Sequence, residues 1–479
     1  MKQKRTTADK AGNSLPVRVV LITLDNHVSA ALESAQTSVR KLVPGLQLSV
    51  HAAADWEARP DKLAACKEAI AEADIIVATM LFMEPHIAAV IDDLDSRRSE
   101  CDALICCMCA AEIMKLTRMG KFKMDGEQSG AVALLKRLRG KSAKPQSAGA
   151  QQLSILRRLP RILRFIPGTA QDLRVYFLTL QYWLAGSEKN LASMIQLLIQ
   201  RYAGGPRAAL RRLPEPPPPV EYPEVGIYHP GLKTGISEDR RALDKLAAGA
   251  KPLGTVGVLL MRSYALAGNS RHYDGVIRAL ESRGLSVIPA FASGLDARPA
   301  VHRFFMDGDK PTVDAVVSLT GFSLVGGPAY NDTDAAQELL KELDVPYLAV
   351  QALEFQSLET WTESALGLMP IEATMMVSIP ELDGATGPMV FGGRQEGSAD
   401  KAGAMVPHEE RIEMLAERVS QLVALRHTPK EARKIAVVLF NFPPNAGSTG
   451  TAAHLAVFDS LFNTLKALSA EGYAVDLPA

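Results

Sequence analysis

The stretch from Thr312 to Arg394 decides the fold: TVDAVVSLTGFSLVGGPAYND (312–332), LDVPYLAVQALEFQSLETW (343–361) and GLMPIEATMMVSIPELDGATGPMVFGGR (367–394). Three apolar runs, Val313 to Leu319, Val345 to Val350 and Ala373 to Ile379, read as strands. Each leads into a loop of Gly, Pro, Asn, Asp or Glu. Continuous apolar runs bounded by turn residues are the pattern of strands buried on both faces of a parallel sheet. Such sheets bind ligands in the loops at the carboxyl ends of their strands.

The same pattern extends in both directions. Upstream, VRVVLITLD (17–25), Leu46 to His51, IIVATM (75–80) and ALICCM (103–108) predict strands. Helical spacing runs from His27 to Leu42 and from Asp61 to Ala71, and Pro85 suits the first turn of a helix reaching Arg98. Alternation of this kind predicts a doubly wound unit with helices on both faces. A second unit opens with TVGVLLMR at Thr255 and continues through helix Tyr273–Ser282, strand Leu285–Pro289, the runs quoted above, and a connecting helix Glu409–Leu425. A third opens with KIAVVLFNF (434–442), followed by a helix over Thr451–Leu468 and the start of a strand near Tyr473. These three elements are too few to cover both faces of a sheet.

Between the first two units the composition shifts. From Gln128 to Gln171 there is no Asp or Glu, against nine Lys or Arg. The segment includes the small, polar GKSAKPQSAGAQQ (140–152) and the apolar, arginine-rich LSILRRLPRILRFI (153–166). Helical residues follow from Asp172 to Tyr202, and then PEPPPPVEYPEV (214–225), read as a hinge in extended polyproline geometry. The expected fold class is α/β: successive doubly wound parallel-sheet domains at 1–125 and 226–430. A helical, basic insertion (126–213), a Pro-rich linker (214–225) and an incomplete third α/β unit (431–479) complete the expectation.

Composition narrows the function. The 53 Lys and Arg balance the 53 Asp and Glu, so no global field favours nucleic acid, and no reader module is recognisable. No apolar run reaches the length of a transmembrane segment, and MKQKRTTADKAGNSLPVRVV lacks a signal-peptide core. Five cysteines, four of them between Cys101 and Cys109, argue against a disulfide framework. A cytoplasmic chain is expected. The acid-free segment has three readings: an interfacial helix making peripheral membrane contact, a docking face for an acidic partner, or a solvated basic face.

Two elements carry the candidate chemistry. LLMRSYALAGNSRHYDGVIRAL (259–280) and VLFNFPPNAGSTGTAAHLAVFDSL (438–461) each leave a strand through a small-residue loop and enter a helix, whose free N–H groups favour an anion. Arg262, Asn269, Arg271 and His272 in the first, and Asn445 and His454 in the second, are the candidate binding residues. Plain capping by Asn269, Ser270, Ser448 or Thr449 is the alternative. GSTGTAAH lacks the Lys of a nucleotide-binding loop. Glu354, Glu372, Glu381 and Asp383 fall at strand ends or in loops of the second unit, where a carboxylate could hold hydrated Mg²⁺ or accept a proton; PELDG reads equally well as a turn. CDALICCMCAAE (101–112) is read as packed thiols, because Cys106 and Cys107 point to opposite faces of one strand.

Several strings resemble, in the same order, the family of the magnesium chelatase H subunit and the cobaltochelatase large subunit. They are LTRMGKF (116–122), YHP (228–230), FASGLDARPAV (291–301), LTGFSLVGGPAYND (319–332), PELDG (380–384), FGGR (391–394) and NFPPNAGSTGTAAH (441–454). The resemblance covers most of the chain and is weakest from about residue 125 to 225. It implies a subunit that binds protoporphyrin IX and receives Mg²⁺ as substrate, with ATP hydrolysed by the partner ATPase subunits I and D. The porphyrin role then falls to Arg262, Asn269, Arg271, His272, Asn445 and His454, and the metal role to Glu354, Glu372 and Glu381. Family members run beyond residue 479, so the chain is expected to be an N-terminal portion, inactive in insertion by itself. A cobaltochelatase large subunit acting on a corrin precursor, and a non-catalytic tetrapyrrole-binding protein, are the alternatives.

Overall fold

The structure, a computed structural model, describes residues 15–24, 27–57, 59–124, 159–246, 252–327, 330–396, 404–439 and 456–477. The first unit is built on β1 (Val17–Thr23), β2 (Leu46–Ala52), β3 (Ile75–Thr79) and β4 (Ala103–Cys107), parallel and ordered β2-β1-β3-β4. Alternate residues of the central strands feed two cores. Val20, Ile22, Ile76 and Cys106 meet helices α2 (Pro60–Glu72) and α3 (Glu84–Arg97). Val19, Leu21, Ile75 and Cys107 face the opposite side, over α1 (Ser29–Arg40). All five thiols are free and buried, and burial pushes Cys66 up to about 12 and Cys109 up to about 11. A buried thiol this far from ionising packs as a small hydrophobe.

That second core is completed from a distance. Helices α4 (Thr169–Ala185) and α5 (Glu188–Tyr202) pack on α1 and the sheet, contributing Tyr176, Trp183, Met194 and Leu198. The sequence places them in an insertion separate from 1–125, yet they share one core with β1, β3 and β4. LTRMGKF forms the hairpin β5 (Arg118–Met119) and β6 (Phe122–Lys123), which extends the sheet beyond β4 in antiparallel fashion. Gly120 turns it with φ +57°, and a Cβ there would strike the Asp172 carboxylate of α4. Asp172 accepts hydrogen bonds from the Lys121 N–H (2.9 Å) and the Tyr202 hydroxyl (3.1 Å), tying hairpin, α4 and α5 together.

The second unit has β7 (Val225–Tyr228), β8 (Ile236–Ser237), β9 (Gly254–Leu259), β10 (Leu285–Ala292), β11 (Ala315–Ser318) and β12 (Tyr347–Ala349), ordered β12-β11-β9-β10-β7-β8. The four strands from β12 to β10 are parallel, and β7 and β8 add antiparallel edges. Helix α6 (Arg262–Ala267) follows β9, and α7 (Arg271–Ser282) covers one face of the sheet. Helix α8 (Thr333–Leu343) covers the other. A small sheet of β13 (Gln351–Ser357), β14 (Val390–Arg394) and β15 (Met405–Pro407) shares the α7 core, together with α9 (Glu409–His427).

Several expectations fail. Ala373 to Ile379 is helical, within a run from Pro370 through a π-helical stretch (Ala373–Ser378) to Asp383. Pro370 opens the run and Glu372 caps it, while Met376 is its one buried residue between 373 and 378, too little burial for an interior strand. At 434–439 the apolar run forms no strand and its side chains lie exposed. Helix α10 (Val457–Ala470) buries none of its residues.

The proline-rich stretch is laced in place, unlike the hinge read from its composition. Its prolines donate nothing to a sheet, so its carbonyls take donors from side chains. Gln200 donates to the Leu213 oxygen (2.7 Å), Gln196 to Pro214 (2.8 Å) and the Tyr182 hydroxyl to Pro217 (2.5 Å). Asn190 holds Val220 through both N–H and C=O (2.8 and 3.0 Å). The units also meet through buried charge. Asp55 of the first unit lies 2.7 Å from Lys62 Nζ and pairs with Arg394, whose guanidinium also donates to the Glu354 and Phe355 carbonyls.

Candidate functional site

The second sheet reverses its winding about β9: β10 lies on one side and β11 on the other. Their carboxyl ends are where an open α/β sheet leaves a crevice. Three chain reversals line it. β9 exits through Leu260 and Met261 into α6, β10 exits through Ser293 and Gly294, and β11 exits through Thr320 and Gly321. Gly294 and Gly321 both adopt positive φ, +85° and +68°, which only glycine takes without strain. The first of these turns folds Leu295 back onto Gly327, where a Cβ would collide with it. Thus the FASGL and SLVGG strings build a single wall.

Opposite that wall stand Gln181, Leu184 and Ala185 from the end of α4, and residues 219–222 of the laced strap. The half-open cavity between α4, the strap and the exits of β9 and β10 measures about 310 Å³, and the β11 turn lines a smaller adjoining pocket of about 30 Å³. Small-molecule sites begin at about 300 Å³ and mix an apolar lining with few polar groups, as the larger one does. Arg262 closes a corner: its Nε donates to the Pro223 carbonyl (2.8 Å) and its Nη2 to the Tyr222 carbonyl (3.1 Å). Its guanidinium holds the strap against the second sheet.

The remaining candidates separate. Arg271 is exposed on the first turn of α7. Asn269 is buried away from the cavity, accepting the Met405 N–H (3.0 Å) and donating to the His27 carbonyl (3.5 Å), so it stitches the two units. His272 has no exposed surface and packs against Tyr264, Tyr273 and Phe391, with ring centroids 3.8 Å from Tyr273. Neither ring nitrogen has a hydrogen-bond partner, and burial pushes the imidazole down to about 3. It is neutral and out of reach of a carboxylate ligand. Asn445 and His454 lie outside the described residues.

The carboxylates are likewise scattered. Glu372 is fully buried, accepting from Gln356 (2.5 Å) and the Met369 N–H (3.1 Å) as a helix cap. Glu354 is half-buried on β13, and Glu381 is exposed. Among the described residues no three His, Cys, Asp or Glu side chains gather to hold a metal ion. Asp383 has the more informative position. It is fully buried at the end of its helical turn, before Gly384 at φ +114°, and accepts the Leu324 N–H (2.8 Å) from the loop that floors the crevice. Burial holds its carboxyl above the ordinary range. The residues missed by sequence reasoning are Leu295, whose only signal was the FASGL string, and Gln181 and the strap carbonyls, which had none.

Fold and crevice together define a two-unit α/β protein with a cavity at the carboxyl edge of its second sheet. A family model described as CobN/Magnesium Chelatase matches residues 180–479, and one described as a domain of unknown function (DUF3479) matches 18–177. The chain belongs to the CobN/magnesium chelatase family. It is 48% identical over 474 residues to the magnesium-chelatase H subunit of Cereibacter sphaeroides, covering 96% of this chain and 39% of that protein. It is 45% identical to the H subunit of Rhodobacter capsulatus, with the same two coverages. The chain thus spans about two fifths of the length of these relatives. Among solved structures, the catalytic subunit of cobaltochelatase from Mycobacterium tuberculosis superposes with a TM-score of 0.53 at 18% identity, over 95% of this chain and 31% of that one. At that identity the likeness concerns the fold. No described helix is long and apolar enough to cross a membrane.

Proposed function

We propose that this chain forms part of a magnesium chelatase subunit that binds protoporphyrin IX during ATP-driven insertion of Mg²⁺, in bacteriochlorophyll or chlorophyll biosynthesis. The observation that carries the reading is the 48% identity to a magnesium-chelatase H subunit across 96% of the chain. It favours the magnesium branch over cobaltochelatase, whose CobN subunit from Pseudomonas aeruginosa is 29% identical over 54% of the chain. Mg²⁺ is a substrate here, and ATP hydrolysis belongs to the partner subunits I and D.

The crevice is the proposed porphyrin contact. Its apolar lining suits the edge of a flat macrocycle, and Arg262 beside Ser263 and Ser293 suits a propionate. A cavity of about 310 Å³ holds one edge of the ring. Insertion requires deforming the macrocycle, removing two pyrrole protons and dehydrating Mg²⁺, which needs groups on both of its faces. This chain alone is therefore expected to bind porphyrin without inserting metal.

Titration with a water-soluble dicarboxylic porphyrin, followed by its absorbance, tests the site. Leu295→Glu places a charge in the apolar mouth and is expected to weaken binding by about tenfold or more, ~1.4 kcal/mol. Arg262→Ala is expected to do the same by freeing the strap. Binding unchanged in both variants would remove the crevice from the function.

A further inference from the structure

Asp383 does not line the cavity, yet it grips the loop that floors the crevice. Its side chain has no exposed surface. One carboxyl oxygen accepts the Leu324 N–H at 2.8 Å, and the other, Oδ1, has no hydrogen-bond partner. A fully buried carboxyl with one oxygen left unpartnered adds little to the stability of a fold, because its desolvation is only partly offset. What it holds is the better guide to its role. Leu324 is a hub: its N–H reaches Asp383, and its carbonyl accepts the Ala297 N–H (2.8 Å) from the turn after β10. Two residues on, the Gly326 N–H donates to the Leu295 carbonyl (2.7 Å), and Val325 bridges Asp296. The two turns are thus zipped by their backbones, and Leu295, which lines the cavity, rides on the zip. The helical run that ends at Asp383 supports the same floor at a second point. Met376, in its π-helical stretch, lies 3.4 Å from where a Cβ on Gly321 would stand. Such stretches recur at functional sites.

We infer that Asp383 is a positioning residue for the crevice: its carboxyl oxygen fixes Leu324, and the zipped turns pass that position on to Leu295. Leu324 is itself buried, so without this acceptor its N–H has no water to turn to, and the loop must move to satisfy it. Ala297 and Leu295 are bonded to that loop and move with it. The positioning follows from the fold; that it serves a porphyrin rests on the reading of the crevice given above.

Hydrogen exchange of the whole chain, followed by mass spectrometry, tests the positioning. In Asp383→Ala the amides of Leu324, Gly326 and Ala297 are expected to exchange at least about tenfold faster, while those of β9 and α7 keep their protection. Asp383→Asn retains an oxygen for the Leu324 N–H and is expected to exchange like the unaltered chain. Should Asp383→Ala fail to fold, Asp383→Ser, with its shorter reach, is measured in its place. Faster exchange at Leu324 with Ala297 and Gly326 unchanged would overturn the inference, since the turns would then move separately. So would a uniform loss of protection across the second sheet, or an Asp383→Asn chain no better than Asp383→Ala, because the residue would then serve stability alone. Titration with the dicarboxylic porphyrin separates the two readings. Asp383→Ala is expected to bind it about tenfold more weakly and Asp383→Asn equally well; full binding by Asp383→Ala would overturn the role of Asp383 at the crevice. An unaltered chain that binds no porphyrin would sink the porphyrin reading, and the exchange result would decide the positioning by itself.

Discussion

The two strand–loop–helix elements that begin LLMR and VLFN share one sequence layout, an apolar run, small residues and a helical pattern, and reach opposite states. In the first, β9 lies between two parallel neighbours and α7 buries six residues, from His272 to Leu280. In the second, residues 434–439 pair with no strand, Val438 is 92% exposed, and α10 buries nothing. The apolar composition of a strand is a demand for neighbours and does not supply them. A 14-residue helix without a buried face has little to hold it in water, because most helical stability comes from packing.

Hydrogen exchange would break or sharpen that comparison most directly. Amides of α7 are expected to exchange at the rate of global unfolding, and those of α10 at least about a thousandfold faster. Equal protection would mean that α10 packs on the rest of the molecule.

The next largest effect concerns the contact between the two units that carry the six-stranded sheets. Asp55→Ala leaves Lys62 and Arg394 buried without their carboxylate, and breaking such a cluster costs about 3–5 kcal/mol. Urea unfolding is the measurement. A loss below about 1 kcal/mol would mean that the interface relaxes and admits water.

A smaller, pH-dependent effect separates α7 from a merely exposed helix. His272 falls from 6.5 to about 3 on folding, so the unfolded chain binds a proton that the folded chain refuses. Its contribution to stability is complete above about pH 6.5 and is lost as pH falls toward 3, at about 1.4 kcal/mol per pH unit. His51, lowered to about 4 by burial, acts with the same sign. His272→Phe keeps the ring packing against Tyr273 and Phe391 and is expected to remove about one proton from the pH 4–6 slope. An unchanged slope would place the ring in contact with water. Least of all, Arg271→Ala on the exposed start of α7 is expected to leave stability within about 0.5 kcal/mol and porphyrin binding unaltered. A clear loss of binding would extend the site beyond the crevice.

The sequence by itself determined the α/β class and most of both principal sheets. Val17–Thr23, Ile75–Thr79, Ala103–Cys107, Leu285–Ala292 and Ala315–Ser318 were legible because strands buried on both faces are continuously apolar. It also placed Cys106 and Cys107 on opposite faces, since alternation along a strand is geometric. Ala373–Ile379 misled because a short apolar run carries no period, and its burial was set by the Pro370 start and by what lay nearby. β13 and β14 were hidden by Glu354, Gln356 and the Gly392-Gly393 pair, whose backbones pair only once both segments are folded. Tertiary structure alone decided the site. The crevice needs α4, the strap and the turns after β9, β10 and β11, pieces separated by more than a hundred residues, to meet at one edge. It also turned Asn269 and His272 inward and Arg262 onto the strap. Which way a polar side chain at a helix start points depends on what the helix packs against, and local sequence does not contain that surface.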